Sequence, residues 1–472
     1  MSARGQARKA QAEPEAVSMY EAHQKVYPRE VKGRFQNLRT GMVFLLLGVF
    51  YGLPWLQLGG RQAVLFDLPA RQFHIFGLTF WPQDFFYLTL LLVICALGLF
   101  FVTALFGRVW CGYACPQTVW TEVFLWMEQW TEGGRAKRMK LDRGPWNREK
   151  ILRKGAKQVL WVTFAAWTGF TFVGFFTPIT ELGARLLTFE LGPWETFWMG
   201  FYGLATYGNA GFLREQVCLY MCPYARFQGA MFDRDTLIIS YDEARGEPRG
   251  GRKRGVEPKS VGLGDCIDCN LCVQACPTGI DIRDGLQYEC IACAACIDAC
   301  DSVMDRMNYP RGLIRYTSEN ALEGKPSRVV RPRTIVYLVL LLALATAGAT
   351  GLALREPVRL DILTDRNTLY RETDEGLIEN SYTFKLTNMH DTAHSYRFSV
   401  TGPEGIRIET DPPEVRVAAG ETRTLAARVQ LPPAAAENPG GEEITVRVRS
   451  TDDAGITGSE TTRFRTPVGR DF

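Results

Sequence analysis

Histidine is scarce in this chain, with 4 in 472 residues. No pair of them stands inside an apolar run, so haem held between membrane helices is not expected. Also absent are a Walker A loop, a glycine-rich dinucleotide fingerprint and a Ser–His–Asp arrangement, which removes nucleotide-driven and serine-hydrolase chemistry. Net charge is only +3, so nothing favours nucleic acid as a partner. The first 40 residues carry eight Lys/Arg and no apolar core followed by a small-residue cleavage site. They read as a retained cytoplasmic tail. Cysteine is missing after Cys300, whereas eight of the 13 fall between Cys266 and Cys300. That crowding is no disulfide framework and points to metal binding in a reducing compartment.

What is present is apolar and segregated. Five runs approach the roughly 20 residues needed to cross a bilayer. They begin at Gly41, Phe85, Gln158, Thr196 and Thr334, the fourth being short, Gly-rich and interrupted by Asn209. An interfacial or buried helix is the alternative reading of that fourth run. The segment from Gly107 to Lys157 has 11 Lys/Arg, against two between Gly59 and Gln83 and one between Pro178 and Trp194. The positive-inside bias then puts the tail and the Gly107–Lys157 segment in the cytoplasm and the two short loops outside. A spanning fourth run returns the chain to the cytoplasm ahead of Cys218. Trp55, Trp81, Trp194 and Trp198 fall near the expected membrane edges and read as interfacial anchors.

"RGEPRGGRKRGVEPKS" (245–260) reads as a mobile basic linker able to sit against anionic headgroups. After the fifth run, "SYTFKLTN", "YRFSVTG", "IRIETD", "EVRVAAG", "TLAARVQL" and "ITVRVRS" alternate apolar and polar residues between turn signals. That period of two predicts an antiparallel, Ig-like β-sandwich, placed outside by an odd number of spans.

"CIDCNLCVQACP" and "CIACAACIDAC" supply Cys266, Cys269, Cys272, Cys276 and Cys290, Cys293, Cys296, Cys300. Both follow C-x2-C-x2-C-x3-C, the spacing of two-cluster ferredoxins, in which the fourth cysteine serves the neighbouring cluster. One [4Fe–4S] cluster is therefore assigned to Cys266, Cys269, Cys272 and Cys300, the other to Cys290, Cys293, Cys296 and Cys276. The fourth cysteine is expected to start a helix pointing away. Zinc is the rival, but it usually takes two separated C-x2-C knuckles. The proline expected after the second run is replaced by Asp301.

"CGYACP" and "CLYMCP" place Cys111/Cys115 and Cys218/Cys222 after the second and fourth runs. A helix continuing through each would put both thiols on one face, while the following proline favours a bend or an end at the second cysteine. Four thiols meeting at the membrane surface suit Cu(I), with zinc or an Fe–S cluster as rivals. Buried packing is the plain alternative. Cys95, alone in the second run, reads as packing. "NMHDTAH" offers Met389, His390 and His394, a set able to bind copper, but reads first as a hairpin loop. His23 and His74 are isolated.

The five apolar runs, the paired C-x3-C-P motifs, "CIDCNLCVQACPTGIDIRDGLQYECIACAACIDACD" and the trailing β-domain together resemble the FixG/RdxA/CcoG family, accessory proteins of bacterial cbb3-type cytochrome oxidases. The resemblance covers nearly all of the chain after residue 20. It implies a bacterial inner-membrane protein with two [4Fe–4S] clusters that reduces Cu(II) to Cu(I) in the cytoplasm. Cys111, Cys115, Cys218 and Cys222 would be its copper-handling residues. Implied partners are a cytoplasmic electron donor, a copper transporter or chaperone, and oxidase assembly components. A quinol-linked polyferredoxin and a non-enzymatic assembly scaffold or redox sensor are the competing functions.

The expected fold is multi-domain α+β: a five-helix transmembrane bundle, a two-cluster ferredoxin-like module and a C-terminal Ig-like β-sandwich. Its expected segments are a cytoplasmic tail (1–40), four spans with the first C-x3-C-P (41–213), the second C-x3-C-P and basic linker (214–260), the cytoplasmic module (261–332), a fifth span (333–355) and a periplasmic domain (356–472).

Overall fold

The computed structural model describes residues 25–365, 369–390, 392–436, 438 and 440–467. His23 and most of the expected tail lie outside the described residues. The chain divides into two compact units. One holds the described residues up to Leu46, with Thr103–Phe164 and Ala205–Arg328; the other holds Leu47–Val102, Ala165–Leu204 and Val329–Phe472.

Among the described residues three helices are long and apolar enough to cross a bilayer: Arg34–Trp55, Pro82–Phe106 and Pro332–Ala353, of 22, 25 and 22 residues. The best apolar window of Pro332–Ala353 has no buried residue, so its surface requires an apolar solvent. The third and fourth expected spans fall short. The Arg148–Val173 helix is charged up to Lys157, and the apolar run expected from Gln158 leaves the helix after Val173 instead of continuing to Pro178. The Pro193–Thr206 helix has 14 residues and then widens into π-helix over Tyr207–Leu213, around Asn209. Cys95 is exposed on its helix rather than packed inside the protein.

In the second unit the sandwich consists of two antiparallel sheets. One orders Arg407–Asp411, Thr422–Leu431, Ile378–Asn388 and Val358–Thr364, with Arg371–Glu372 pairing the start of Ile378–Asn388. The other orders Glu414–Val417, His394–Thr401, Glu442–Ser450 and Thr457–Phe464. The alternation places Phe384, Leu386, Val429, Val446, Val448 and Phe464 wholly inside, each 0% exposed. The Val358–Thr364 and Thr457–Phe464 strands were not among those expected: "VRLDI" does alternate but is a short stretch close behind the fifth run, and "TGSETTRF" has Phe464 as its one large apolar residue.

The expected loops of this unit are folded. Val64–Asp67, Gln72–Ile75 and Leu78–Phe80 form a small sheet, and Ile179–Thr188 is a helix. His74 is buried, 3.0 Å from Thr79 Oγ1. Trp81 is not an interfacial anchor: it is 8% exposed, and a methyl group on Gly420, at φ +70, would collide with its ring. Trp55, Trp194 and Trp198 remain exposed.

In the first unit the Leu271–Ala275 and Ala295–Met307 helices pack beside a two-stranded sheet of Ile238–Tyr241 and Ile314–Thr317. Asp298 accepts from the Phe35 and Gln36 backbone N–H groups at 3.3 and 2.7 Å. A carboxylate at these orphan donors holds the start of the first apolar helix to the cysteine-bearing helix. The basic segment is tied down rather than free: Gly250 N donates to Cys266 O at 3.2 Å, Arg245 pairs with Asp265, and Arg252 reaches the Tyr309 hydroxyl at 2.9 Å.

Candidate iron–sulfur and thiol site

The two ferredoxin-type loops fold alike. Asp268 and Asn270 take φ +53 and +57, and Ala292 and Ala294, at the equivalent places of the second loop, take +53 and +60. Left-handed backbone at a residue with a Cβ costs roughly 1 kcal/mol or more, and here it recurs at matched positions. The turns curl each loop and direct its cysteines inward. Cys266, Cys269, Cys272 and Cys300 line one cavity of about 20 Å³. Cys276, Cys290, Cys293 and Cys296 line another of about 20 Å³, with Cys272 at its edge.

The fourth cysteines depart from expectation. Cys276 ends the Leu271–Ala275 helix in extended backbone before Pro277, and Cys300 lies inside Ala295–Met307. Neither starts a helix. The helix running on through Cys300 also explains Asp301, since a proline there would interrupt it.

Burial, and then the neighbouring Cys272, Cys266 and Cys269 sulfurs, push the Cys300 thiol up to about 12. Cys290 is raised to about 12, first by burial, with Cys293 and Cys276 adding to it. Grouped buried thiols of this kind give up their protons only to a bound cation. The donor set and the two cavities fit a pair of thiolate-held clusters.

The C-x3-C-P motifs share one geometry, and it is not a continuous helix. Val109–Tyr113 is a short helix; Cys115 is extended at φ −62, ψ 130 and caps a new helix that opens on Pro116. Val217–Met221 is π-helix; Cys222, at φ −82, ψ 109, caps a helix that opens on Pro223. Proline suits the first helical position because its missing N–H is an orphan there. The helix break thus turns each second cysteine away from the axis carrying the first.

The two pairs lie within electrostatic reach of each other. The Cys218 thiol is raised to about 12, by burial and then by Cys115, Cys111 and Cys222. Cys111 is raised to about 11, by burial and then Cys115, while Gln228 and Arg108 oppose the shift. As the thiols stand, no three His, Cys, Asp or Glu side chains among the described residues are grouped to hold a single metal ion.

Residues between the cysteines make the connection that spacing alone did not reveal. A methyl group on Gly112 would lie 2.8 Å from Cys293 Cα, 2.8 Å from Ile291 O and 2.9 Å from Ala292 O. The first motif is therefore in backbone contact with a ferredoxin loop. Arg108, buried, donates to Tyr288 O at 2.6 Å and Ala225 O at 2.5 Å and faces the Tyr288 ring at 4.8 Å. Its charge favours the thiolates of Cys111, Cys218 and Cys290 alike. A cavity of about 50 Å³ opens beside them, lined by Thr118, Glu122, Glu215, Cys218, Thr278 and Ile291 among others. The signal for Gly112 was its place between the two cysteines of "CGYAC", where any larger residue would serve a plain helix.

Beneath the second motif lies a buried ion cluster. Glu128, fully buried, meets Arg214 at 2.9 Å, Arg138 at 3.2 Å and Lys25 at 3.5 Å. Burial alone would raise its carboxyl, but Arg214, Lys25, Arg138 and Lys157 outweigh it and hold it at about 2.

Comparison with known proteins agrees with this architecture. Residues 213–319 match a 4Fe-4S dicluster domain, 88–133 a 4Fe-4S binding domain, and 348–467 the IG-like fold at the C-terminal of FixG. Protein RdxB of Cereibacter sphaeroides is 41% identical over 429 residues, 88% of this chain and 90% of that protein. The chain belongs to the FixG/RdxA family. Its members include the nitrogen fixation protein FixG of Rhizobium meliloti, 38% identical over 81% of this chain and 80% of that protein. Among solved structures, a FixG-related protein from Vibrio parahaemolyticus covers 24% of this chain and 97% of its own, at 22% identity and a TM-score of 0.21. The family and the iron–sulfur domains make this chain a membrane-associated electron-transfer oxidoreductase. The dicluster match contains Cys218, Cys222 and the eight ferredoxin-type cysteines; the 88–133 match contains Cys111 and Cys115.

Proposed function

We propose that the chain is a membrane-bound cupric reductase, converting Cu(II) to Cu(I) at Cys111, Cys115, Cys218 and Cys222 for copper delivery in cbb3-type oxidase assembly. The observation that carries this reading is the backbone contact of Gly112 with the Ile291–Cys293 loop. It supports the reading because the loop between Cys111 and Cys115, half of a thiol quartet that would suit Cu(I), lies against a ferredoxin-type cysteine loop. Bound at Cys266, Cys269, Cys272, Cys300 and at Cys276, Cys290, Cys293, Cys296, [4Fe–4S] clusters supply one-electron chemistry.

The remaining quartet takes the substrate ion. Binding draws at least two of its thiols together and releases their protons, since buried thiols ionise against a cation. Soft thiolates hold Cu(I) more tightly than Cu(II), so the site favours the reduced product. Arg108 offsets part of the thiolate charge through its proximity to Cys111 and Cys218. Reduction consumes one electron per copper, provided by a cytoplasmic donor; a copper transporter or chaperone then takes the ion.

Five crossings of the bacterial inner membrane complete the reading, with the N-terminus and the cysteine-rich module inside and the sandwich outside. A reporter fused after Phe472 should be active only on the outer side and one inserted near Gly251 only on the inner side.

The decisive experiment is anaerobic Cu(II) turnover by purified protein, with EPR of the iron–sulfur signals, in wild type and the four single Cys→Ala variants. Turnover should collapse with the iron–sulfur signals intact. Unchanged turnover in Cys111→Ala and Cys222→Ala would end this mechanism. A second reading has its own support: the 88–133 match to a 4Fe-4S binding domain favours a third cluster on these thiols. Iron analysis separates the two, with about eight irons per chain for two clusters and about twelve for three.

A further inference from the structure

The hairpin between Ile378–Asn388 and His394–Thr401 turns three side-chain atoms toward one another. His390 Nδ1 lies 3.0 Å from Thr392 Oγ1, Thr392 Oγ1 lies 2.9 Å from His394 Nε2, and the two ring nitrogens are 3.2 Å apart. A ring nitrogen either donates or accepts, so protons fill at most two edges of this near-equilateral triangle. A metal ion about 1 Å above its plane would sit about 2.0 Å from every corner, the length of an imidazole–metal bond.

The loop is built to hold that shape. Asn388, 0% exposed, accepts from His390 N at 3.0 Å and Tyr396 OH at 2.9 Å through Oδ1. Its Nδ2 donates to Thr392 O at 2.8 Å and to Val417 and Ala418 carbonyls. One buried amide thus fixes the backbone of two of the three residues. His394 Nδ1 is buried without a hydrogen bond among the described residues and faces the Asp452 carboxylate at 4.0 Å. With a cation on Nε2 the ring proton must sit on Nδ1, giving the carboxylate–histidine–metal order that orients imidazole ligands. His390 and Thr392 are exposed, so an ion reaches the site from solvent.

We propose that His390, Thr392 and His394 bind a divalent first-row transition ion, with water completing its coordination. Two imidazoles and an oxygen suit Cu(II), Ni(II) and Zn(II), and the Irving–Williams order puts Cu(II) first. This goes beyond the reductase reading and does not rest on it.

The test uses full-length protein in detergent with Cys111, Cys115, Cys218 and Cys222 all replaced by Ala, so that those thiols neither capture nor reduce the probe. Cu(II) alone is added, and EPR is recorded with the iron–sulfur groups oxidised. One Cu(II) per chain with couplings from two imidazole nitrogens is expected, and His390→Ala should weaken its binding at least tenfold. His390 is exposed, so an unchanged melting temperature will confirm that this variant folds. A spectrum without imidazole coupling, or binding unchanged in His390→Ala, overturns the site. Failure of the reductase reading would appear instead in the single cysteine variants and leave this spectrum untouched.

Discussion

The two C-x3-C-P segments share their caps and differ in the backbone that packs against them. The first has its short helix pressed by Gly112 onto Ile291–Cys293. The second rides on π-helix, with Tyr220 and Met221 exposed and Arg214 entering it at φ +44, held by Glu128. One motif touches the iron–sulfur module through its backbone, and the other meets it across the cavity that Cys218 shares with Thr278 and Ile291. In the proposed reductase the same four-residue spacing would serve two jobs, contact with the electron source and access for the ion. π-helical turns recur at functional sites because they widen the backbone without ending it.

Breaking the contact on one side alone is the strongest test. Gly112→Val must push the Ile291–Cys293 backbone away, because no neighbouring atom there is a flexible side-chain end. Reoxidation of pre-reduced protein by Cu(II), followed by stopped flow, should slow by about a hundredfold, the scale on which a displacement of about 1 Å is felt in a reacting geometry. Leu219 occupies the matching position of the second motif, and Leu219→Val should change the rate by less than about threefold, as a conservative apolar swap. Equal losses in the two variants would erase the proposed division of labour.

The next effect falls on the second motif's support. Glu128→Gln leaves Arg214, Arg138 and Lys157 facing a neutral amide in a buried site, a change costing about 3 kcal/mol. The variant should melt well below wild type at pH 7. The carboxyl sits at about 2 against an ordinary 4.5. Its contribution is therefore fully present above pH 4.5 and lost as pH falls toward 2. Melting curves of the two proteins should converge over that interval; a constant gap would show that Glu128 acts by packing rather than charge.

Much of this arrangement was written in spacing. The eight ferredoxin-type cysteines line two cavities, with Cys272 at both, because the C-x2-C-x2-C turn is a local property of the backbone, and six sandwich strands announced themselves by period two. What spacing could not carry was contact across long sequence separations. Nothing near Gly112 shows that residues 291–293 lie against it, and Glu128 reads as one more helix carboxylate until Arg214 arrives from 86 residues on. The third and fourth apolar runs are plainer in composition than in the structure. Composition suggested spans, whereas the charged opening turns of Arg148–Val173 and the π-helix at Asn209 shorten what is continuously apolar and α-helical.

Arg108 acts on both motifs at once, and so cancels their difference. Its guanidinium favours the thiolates of Cys111 and Cys218, and two backbone carbonyls fix it in place. Arg108→Gln should weaken copper retention by about tenfold, as expected for losing one close charge of about 1–2 kcal/mol. Arg108→Lys, which keeps the charge but not the forked donors, should fall between. Ion binding measured anaerobically with Cu(I) checks the order; a loss in Lys equal to that in Gln would assign the role to the carbonyl contacts.

Gln228 returns the comparison to a single thiol. The Cys111 thiol donates to its Oε1 at 3.5 Å, while its Nε2, fully buried, has no hydrogen-bond partner among the described residues. Rotation of the amide would turn that unused donor toward an ionised Cys111, which is the direction in which Gln228 already acts on the thiol. Gln228→Met removes the donor at similar volume, so alkylation of Cys111 in iron-free protein should slow by about threefold, the worth of one modest hydrogen bond. Cys222, in the opposite motif, should react at an unchanged rate. Stability should move by less than about 1 kcal/mol, because an unpartnered buried donor is lost together with the bond. Parallel slowing of both thiols would mean that the substitution loosens the whole quartet, and that the motifs are mechanically one unit despite their different surroundings.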